Sequence, residues 1–442
     1  GTIEVFDSKA SGGTKIMAAP YQYLSVDPKD MKYRFNWNAP IIWSRREPNT
    51  YYHAAQYLLK TSDMGKTWSE VSPDLTRNEK EKQGKGGGPL TNEAVGAENY
   101  GTIAYVVESP HEKGVIWTGS DDGFVHVTRD GGVTWKNVTP RELPESLVNA
   151  IEISPFDKGT AYIATTRYKF NDHAPGLYKT TDYGANWTRI DNGIPRNAFT
   201  RVVREDDVRR DLLFAGTELG VFVSFNGGRQ WEPFQLNLPV TPITDLRVHR
   251  GNLIAATSGR SFWILDDLAL IRQYKPGASD LSVYQPSPAY LANGSSELNG
   301  SDPEFDGANL YRGVNPANGV VIYYDLPELK KEDDVTIEIA DASGKIIRTF
   351  SSKRDASARR WDGGPALEPL LSKKKGLNRF VWNMRRATMP GVPDVYIEAS
   401  YNGHKAIPGK YRVTVRALGK SVGAEAEILA NPLYPTDSAT YL

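Results

Sequence analysis

The chain has 442 residues, enough for two or three domains with cores of their own. Lys plus Arg and Asp plus Glu are 53 each, so no overall field draws in nucleic acid or an anionic membrane. With no cysteine, disulfides and thiolate metal sites are excluded, and 40 Gly beside 23 Tyr, 14 Phe and 10 Trp suit short strands joined by tight turns.

The chain opens on "GTIEVFDSKASGGTKIM", which is already strand-like; it reads as the tail of a preceding β-unit and suits a mature or trimmed product. No run approaches the roughly 18–20 apolar residues of a membrane span, so no transmembrane segment is expected. From there an octet recurs: "TSDMGKTW" at 61–68, "TRDGGVTW" at 128–135, "TTDYGANW" at 180–187 and "SFNGGRQW" at 224–231, with starts 67, 52 and 44 residues apart. Each fits Ser/Thr-x-Asp/Asn-x-Gly-x-x-Trp, and repeats at about this spacing point to propellers or solenoids.

The flanking segments favour a propeller. "APIIWSRRE", "YYHAAQ", "YLLKTSD" and "TWSEVS" form a first unit of four short β-rich stretches. Three further units follow around the later octets. "ITDLRVH", "LIAATSG", "SFWILDD" and "LALIRQ" form a fifth whose octet has decayed. The octet falls at the hairpin between the third and fourth strands. There the Gly permits a positive φ, the Asp accepts hydrogen bonds from turn amides, and the Trp packs between blades. Asp63, Asp130, Asp182 and Asn226, with Trp68, Trp135, Trp187 and Trp231, are therefore structural; Asn226 fits because an amide can cap a turn but is a poor substitute for a catalytic carboxylate.

Between the first two units lies a Gly- and Lys-rich loop, 77–97, which lacks the Gly-Lys-Ser/Thr spacing of a phosphate-binding loop. Residues 274–318 read as a Pro/Gly/Ser/Asn linker after propeller blades at 1–273. In 319–433, "GVVIYYDLP", "DVTIEIADASGKIIRTFSS", "GLNRFVWNM" and "GKYRVTVRALG" alternate as strands of an immunoglobulin/fibronectin-like β-sandwich, and 434–442 form a tail. The fold class is all-β.

The octets resemble the Asp-box, or bacterial neuraminidase repeat. "WTGSDDGFVHVTRDGGVTW", "LLFAGTELGVFVSFNGG", "ATSGRSFWILDDL" and the later "GLNRFVWNMR" resemble bacterial sortilin-like (VPS10-type) proteins of the BNR-repeat "glycosyl hydrolase" family. That resemblance implies a bacterial, extracytoplasmic protein and a propeller with more than five blades. The expectation is that this chain is a C-terminal part whose ring is completed by a second chain or N-terminal fragment; the alternative is a closed ring of five. Sialidases carry an Arg-Ile-Pro signature, absent here, and eukaryotic sortilin-type receptors add a cysteine-rich module that a chain without cysteine cannot have.

A ligand is expected at the second-to-third strand turns and at the entries of the first strands. Asn38, Gln56, Asn99, Asp121, Arg167, Glu218 and Arg260 make up that ring, a mixture suited to a sugar or a peptide. Glycoside hydrolysis needs two carboxylates about 5–9.5 Å apart; Asp121 or Asp122 with Glu218 is the pair to nominate. Against it, "DDG" reads as a plain turn and Glu218 as a rim residue paired with an Arg. The six His are scattered without ligand spacing, so neither metal nor cofactor is expected. The reading is a non-catalytic propeller that binds protein or glycan within a larger assembly; the alternative is a glycoside hydrolase acting on a polysaccharide.

Overall fold

A computed structural model describes residues 3–9, 12–19, 26–84, 96–275, 280–292, 296, 314–398, 400–434, 436 and 440. It is an all-β propeller architecture followed by a second β-unit, and the chain divides into compact units at 1–264 and 265–442. Among the described residues no helix is long and apolar enough to cross a membrane. The middle of the Gly/Lys-rich loop, 85–95, lies outside them.

The first unit begins with an antiparallel pair, Glu4–Phe6 with Gly13–Lys15. Four four-stranded antiparallel blades follow, each in sequence order. Their strands are Ile41–Trp43, Tyr51–Ala54, Leu58–Thr61 and Ser69–Glu70; Ile103–Glu108, Ile116–Ser120, Val125–Thr128 and Lys136–Asn137; Leu147–Ile153, Ala161–Arg167, Asp172–Thr180 and Thr188–Arg189; and Thr200–Glu205, Leu213–Thr217, Gly220–Ser224 and Glu232–Pro233. A fifth sheet has three strands, Ile243–His249, Asn252–Thr257 and Phe262–Leu265.

Each octet makes the same small lattice. Thr128 Oγ1 donates to Asp130 Oδ1 at 2.8 Å and accepts the Gly132 N–H at 2.9 Å, while Asp130 also accepts the Thr134 N–H at 2.9 Å. In the fourth copy Ser224 Oγ donates to Asn226 Oδ1 at 3.0 Å and Asn226 accepts the Gln230 N–H at 3.0 Å, so one amide oxygen does the carboxylate's work. Donors from Thr134, joined by Thr128, hold the exposed Asp130 carboxyl down at about 2, and Thr67 and Thr61 do the same for Asp63.

The motif tryptophan ties each blade to the structure before it. The Trp68 indole N–H donates to Ile16 O at 2.8 Å, Trp135 to Val71 O at 2.8 Å, Trp187 to Val138 O at 2.6 Å and Trp231 to Ile190 O. The motif glycine lies against the same residue. A Cβ on Gly184 (φ 82°) would come 2.7 Å from Val138 Cβ, and one on Gly228 (φ 88°) 2.7 Å from Ile190 Cδ1. Positive φ and close approach both demand glycine here.

Adjacent blades share cores: Trp117, Val125 and Val127 of the second pack with Val148, Ile151 and Ile163 of the third. At the inner strands, the almost fully buried Arg204 donates to Leu246 O and Asp245, both at 2.8 Å, and to Tyr105 Oη at 3.1 Å, with Glu152 at 3.4 Å. First strands of four blades thus converge on one guanidinium. The fifth sheet makes no comparable packing onto the first among the described residues.

"LALIRQ", expected as the fourth strand of the fifth blade, is instead the helix Ala269–Gln273. The box that would turn a hairpin has no Gly or Trp there, Ala, Leu, Arg and Gln are good helix formers, and Asp267 Oδ1 accepts the Ala269 N–H at 2.9 Å. In the second unit, Val320–Leu326 pairs with Gly376–Trp382, and Val335–Ala340 joins Ile346–Ser351 to Gly409–Ala417, which pairs with Lys420–Leu429. Ser282–Val283 and Ala289–Tyr290, from a stretch that reads as linker, add an edge strand to each sheet. Both sheets contribute to one core, including Trp382, Phe380, Ile337 and Val413.

Asp130→Asn should retain the turn and shift the melting temperature little, since Asn226 holds the equivalent place, whereas Asp130→Ala should lower it by several degrees. Trp231→Ala should cost about 3–5 kcal/mol through lost core packing. Thermal and urea unfolding check all three; equal damage from Asn and Ala at position 130 would contradict the turn-acceptor role.

Candidate functional site

The second-to-third strand turns fall where the octet register places them, but they do not form one ring of free polar groups. Gln56 is buried, its Oε1 accepting the Arg34 N–H at 2.7 Å and its Nε2 donating to Lys32 O at 2.8 Å. Asn99 is buried too, with Nδ2 donating to Phe35 O at 2.7 Å. Both hold strand entries in place. Asn38 and Arg260 are exposed. Glu218 Oε2 accepts from Arg201 Nε at 2.9 Å and lies 2.9 Å from its Nη2, and its turn does not line the cavity described next.

That cavity, about 240 Å³, opens between the second and third blades and is lined by Asp121 and Arg167 together with Lys82, Tyr100, Glu145 and the turn 168–170. The short spans of polar backbone at these turns put carboxylate and guanidinium on facing loops. Asp121 Oδ1 accepts the N–H groups of Gly101 at 3.0 Å and Thr102 at 2.8 Å, and Oδ2 accepts the Thr102 hydroxyl at 2.9 Å. Burial pushes its carboxyl up to about 7 against the pull of the Thr102 donors, with the neighbouring Asp122 adding to the rise. Asp122 turns away: it is buried, accepts Ser120 Oγ at 2.5 Å and the Arg77 N–H at 2.8 Å, and burial raises its pKa.

The other carboxylate in the cavity is Glu145. Lys82 Nζ lies 2.7 Å from Oε2 and 2.9 Å from Oε1, Tyr100 donates its phenol to Oε1, and these partners outweigh burial to hold the carboxyl below its usual range. Arg167 lies 3.4 Å from Asp172 and its guanidinium sits 5.3 Å over the Phe170 ring. Tyr168 stacks on Phe199 at 5.5 Å, and both Tyr168 and Phe170 remain well exposed. The buried Thr166 hydroxyl, also in the lining, has no hydrogen-bond partner.

Of the residues nominated from sequence, then, Asp121 and Arg167 come together; Asp122 and Glu218 are bound elsewhere, and Gln56, Asn99, Asn38 and Arg260 are not part of the cavity lining. Lys82 and Glu145 escape sequence reasoning because they sit in connectors between blades, where no period marks them. Among the described residues no three His, Asp or Glu side chains cluster as metal ligands would.

No family model matches the chain. Vacuolar protein sorting/targeting protein 10 of Fusarium vanettenii is 27% identical over 134 residues, covering 29% of this chain and only 8% of its own length. Among solved structures, the GH74 xyloglucanase from Xanthomonas campestris has a TM-score of 0.39 at 13% identity, covering 85% of this chain and 62% of its own. The Niastella koreensis GH74 enzyme scores 0.38 at 14% identity, covering 64% and 41% respectively. YCF48 bound to a D1 peptide scores 0.34 at 13% identity, covering 50% and 62%. The chain thus spans less than two thirds of each. It is similar to BNR/sortilin-like propellers.

Asp121 provides a pH test. Its folded-state pKa lies above the unfolded 3.8, so protonation favours the fold: that contribution is full below about 3.8 and is lost as pH rises through about 7. Asp121→Asn, which cannot titrate, should become progressively more stable relative to wild type between pH 5 and pH 8 in urea unfolding. Parallel profiles for the two proteins would refute the assignment.

Proposed function

We propose that this chain belongs to a bacterial, extracytoplasmic sortilin-like propeller protein that binds a protein or glycan without catalysis, as a subunit or scaffold of a larger assembly. The observation that carries this reading is how the cavity is provisioned. Its ionised carboxylate, Glu145, is occupied by Lys82 and Tyr100, while Tyr168, stacked on Phe199, and Phe170, under Arg167, keep a large part of their rings exposed. Aromatic platforms with a few fixed polar groups suit the stacking of a sugar ring or the docking of a peptide side chain. The C-terminal unit, read as an immunoglobulin/fibronectin-like sandwich, serves as support.

A second reading, glycoside hydrolysis, is favoured by one feature: the same cavity holds a carboxyl raised to about 7, Asp121, and one held ionised, Glu145. This pairing replaces Asp121 or Asp122 with Glu218, since Glu218 is engaged by Arg201 and lines no part of the cavity. An acid and a base of this kind could act only if Glu145 were released from Lys82.

Glycan and peptide arrays on the full chain decide between them, alongside reducing-sugar release from soluble polysaccharides. We expect saturable binding without hydrolysis, weakened at least tenfold by Tyr168→Ala or Phe170→Ala and little changed by Glu218→Gln. Hydrolysis that disappears in Asp121→Asn would establish the second reading instead.

A further inference from the structure

The turn after the second strand of the third blade is built differently from its counterpart in the next blade. In the fourth blade Thr217 pairs with Gly220 across 218–219. In the third, Arg167 pairs with Asp172 across 168–171, and the ladder is irregular between Thr165 and Arg167. Asn171 takes φ 57°, a left-handed conformation that asparagine tolerates better than most residues. Along a regular strand successive side chains alternate between faces, but an irregular ladder re-aims them. Here Thr166, Arg167, Tyr168, Lys169 and Phe170 all line the Asp121 cavity.

This turn brings donors without partners. Other guanidiniums of the propeller are spent: Arg34 on Gly101 O and Asp74, Arg204 on Leu246 O and Asp245, and Arg201 on Glu218. Arg167 makes no hydrogen bond among the described residues; its Nε is buried and unpartnered, with Asp172 Oδ2 3.4 Å off. The Phe170 ring beneath it, at 5.3 Å, engages the face of the guanidinium rather than its donor edge. Lys169 is exposed and forms no ion pair among the described residues, and Thr166 is 3% exposed with an unpartnered hydroxyl. Lys82, by contrast, is paired with Glu145 at 2.7 Å and with Glu79. With that pair set aside, two unspent cations remain beside one carboxyl, Asp121, whose oxygens already accept from Gly101 and Thr102.

We propose that the cavity takes the carboxylate of an acidic sugar unit of the uronate type, held by the Arg167 fork with the Thr166 hydroxyl and the Lys169 ammonium alongside. A planar guanidinium with unspent donors matches a carboxylate bidentately. A sugar fits better than a peptide for two reasons. The exposed parts of Tyr168 and Phe170 offer flat surfaces for a pyranose face, and a space of about 240 Å³ suits one ring rather than a length of chain. The inference rests on the binding reading proposed above and narrows its ligand to an acidic glycan.

Asp121 sets the pH range. It is faced by Asp122 of its own turn, by Tyr100 ahead of the second blade, by the Lys82–Glu145 pair, and by Arg167 and Lys169 of the third blade. Burial holds its carboxyl up at about 7, so in mildly acidic solution it is neutral and adds a further O–H donor. Once ionised it repels the ligand's carboxylate. The protonated fraction falls about tenfold between pH 6 and pH 8, a range in which the sugar acid itself stays ionised.

The test is calorimetric titration of the full chain with trigalacturonate and with its methyl ester, the same sugar without the charges. At pH 6 the acid should bind at least tenfold more tightly than the ester. Arg167→Gln should weaken acid binding about tenfold while leaving ester binding and the melting temperature unchanged, and Arg167→Lys, which keeps the charge but not the fork, should restore only part of it. Wild-type affinity for the acid should fall about tenfold from pH 6 to pH 8, and Asp121→Asn should give a flat profile, which separates Asp121 from His173, packed on Phe199. Equal binding of acid and ester, or an affinity untouched by Arg167→Gln, would overturn the proposal. Tighter binding of an acidic peptide, lost when its carboxylates are amidated, would overturn the sugar in favour of a protein. Array binding of neutral glycans that depends on Tyr168, without preference for the acid, would sink this inference and leave the binding reading standing; no array binding of any kind would sink both.

Discussion

The propeller depends on one recurring contact: an indole N–H donating to the carbonyl that follows the outer strand of the preceding structure, with a glycine pressed onto that same residue. A single such hydrogen bond contributes only about 1 kcal/mol net. Its value is positional. The bond is short and directional, the tryptophan is too large to settle elsewhere, and the glycine admits no Cβ that would hold the blades apart. The Asp or Asn of the box spends its acceptor oxygens on donors within its own octet and so sets the hairpin that aims the tryptophan. Removing that acceptor would loosen the turn first and the inter-blade contact second.

This explains why so much of the fold can be read from sequence. The box combines residues whose roles are local and stereochemically narrow, namely a hydroxyl and a carboxylate two residues apart, a glycine with φ near 80–100°, and a tryptophan. The surrounding strands follow from alternation and turn residues. Where the box decays the reading fails: "LALIRQ" has the apolar content of a strand, but without the hairpin its local propensity prevails, helped by the Ala269 N–H bond to Asp267 Oδ1, and it coils into a helix. The same decay leaves the fifth sheet one strand short and its outer strand exposed.

The candidate site was less legible, for a physical reason. Turn position was predictable, but side-chain availability was not. Gln56 and Asn99 look like ligand-binding amides in sequence, yet each satisfies backbone groups of the segment before the first blade. Asp121 and Asp122 are adjacent and indistinguishable by type, but the turn sends one into the cavity and the other onto Arg77. Glu145 and Lys82, an ion pair in the cavity lining, are brought there by connectors whose course depends on tertiary packing.

Electrostatics separate the interior of the array from its loop face. Within the inner strands, Arg204 gathers Glu152, Asp245 and Tyr105 from three other blades, so the charges there are spent on holding the strands together. Burial of the Arg204 guanidinium makes its partners costly to remove, although Asp245 itself stays largely exposed. At the cavity the balance differs. The Thr166 hydroxyl is unpartnered, Asp121 is poised near neutrality, and aromatic rings stay exposed beside a guanidinium. Groups left incompletely satisfied on a rigid frame are those a ligand can satisfy, whereas Arg204 in the inner strands keeps its partners within the protein.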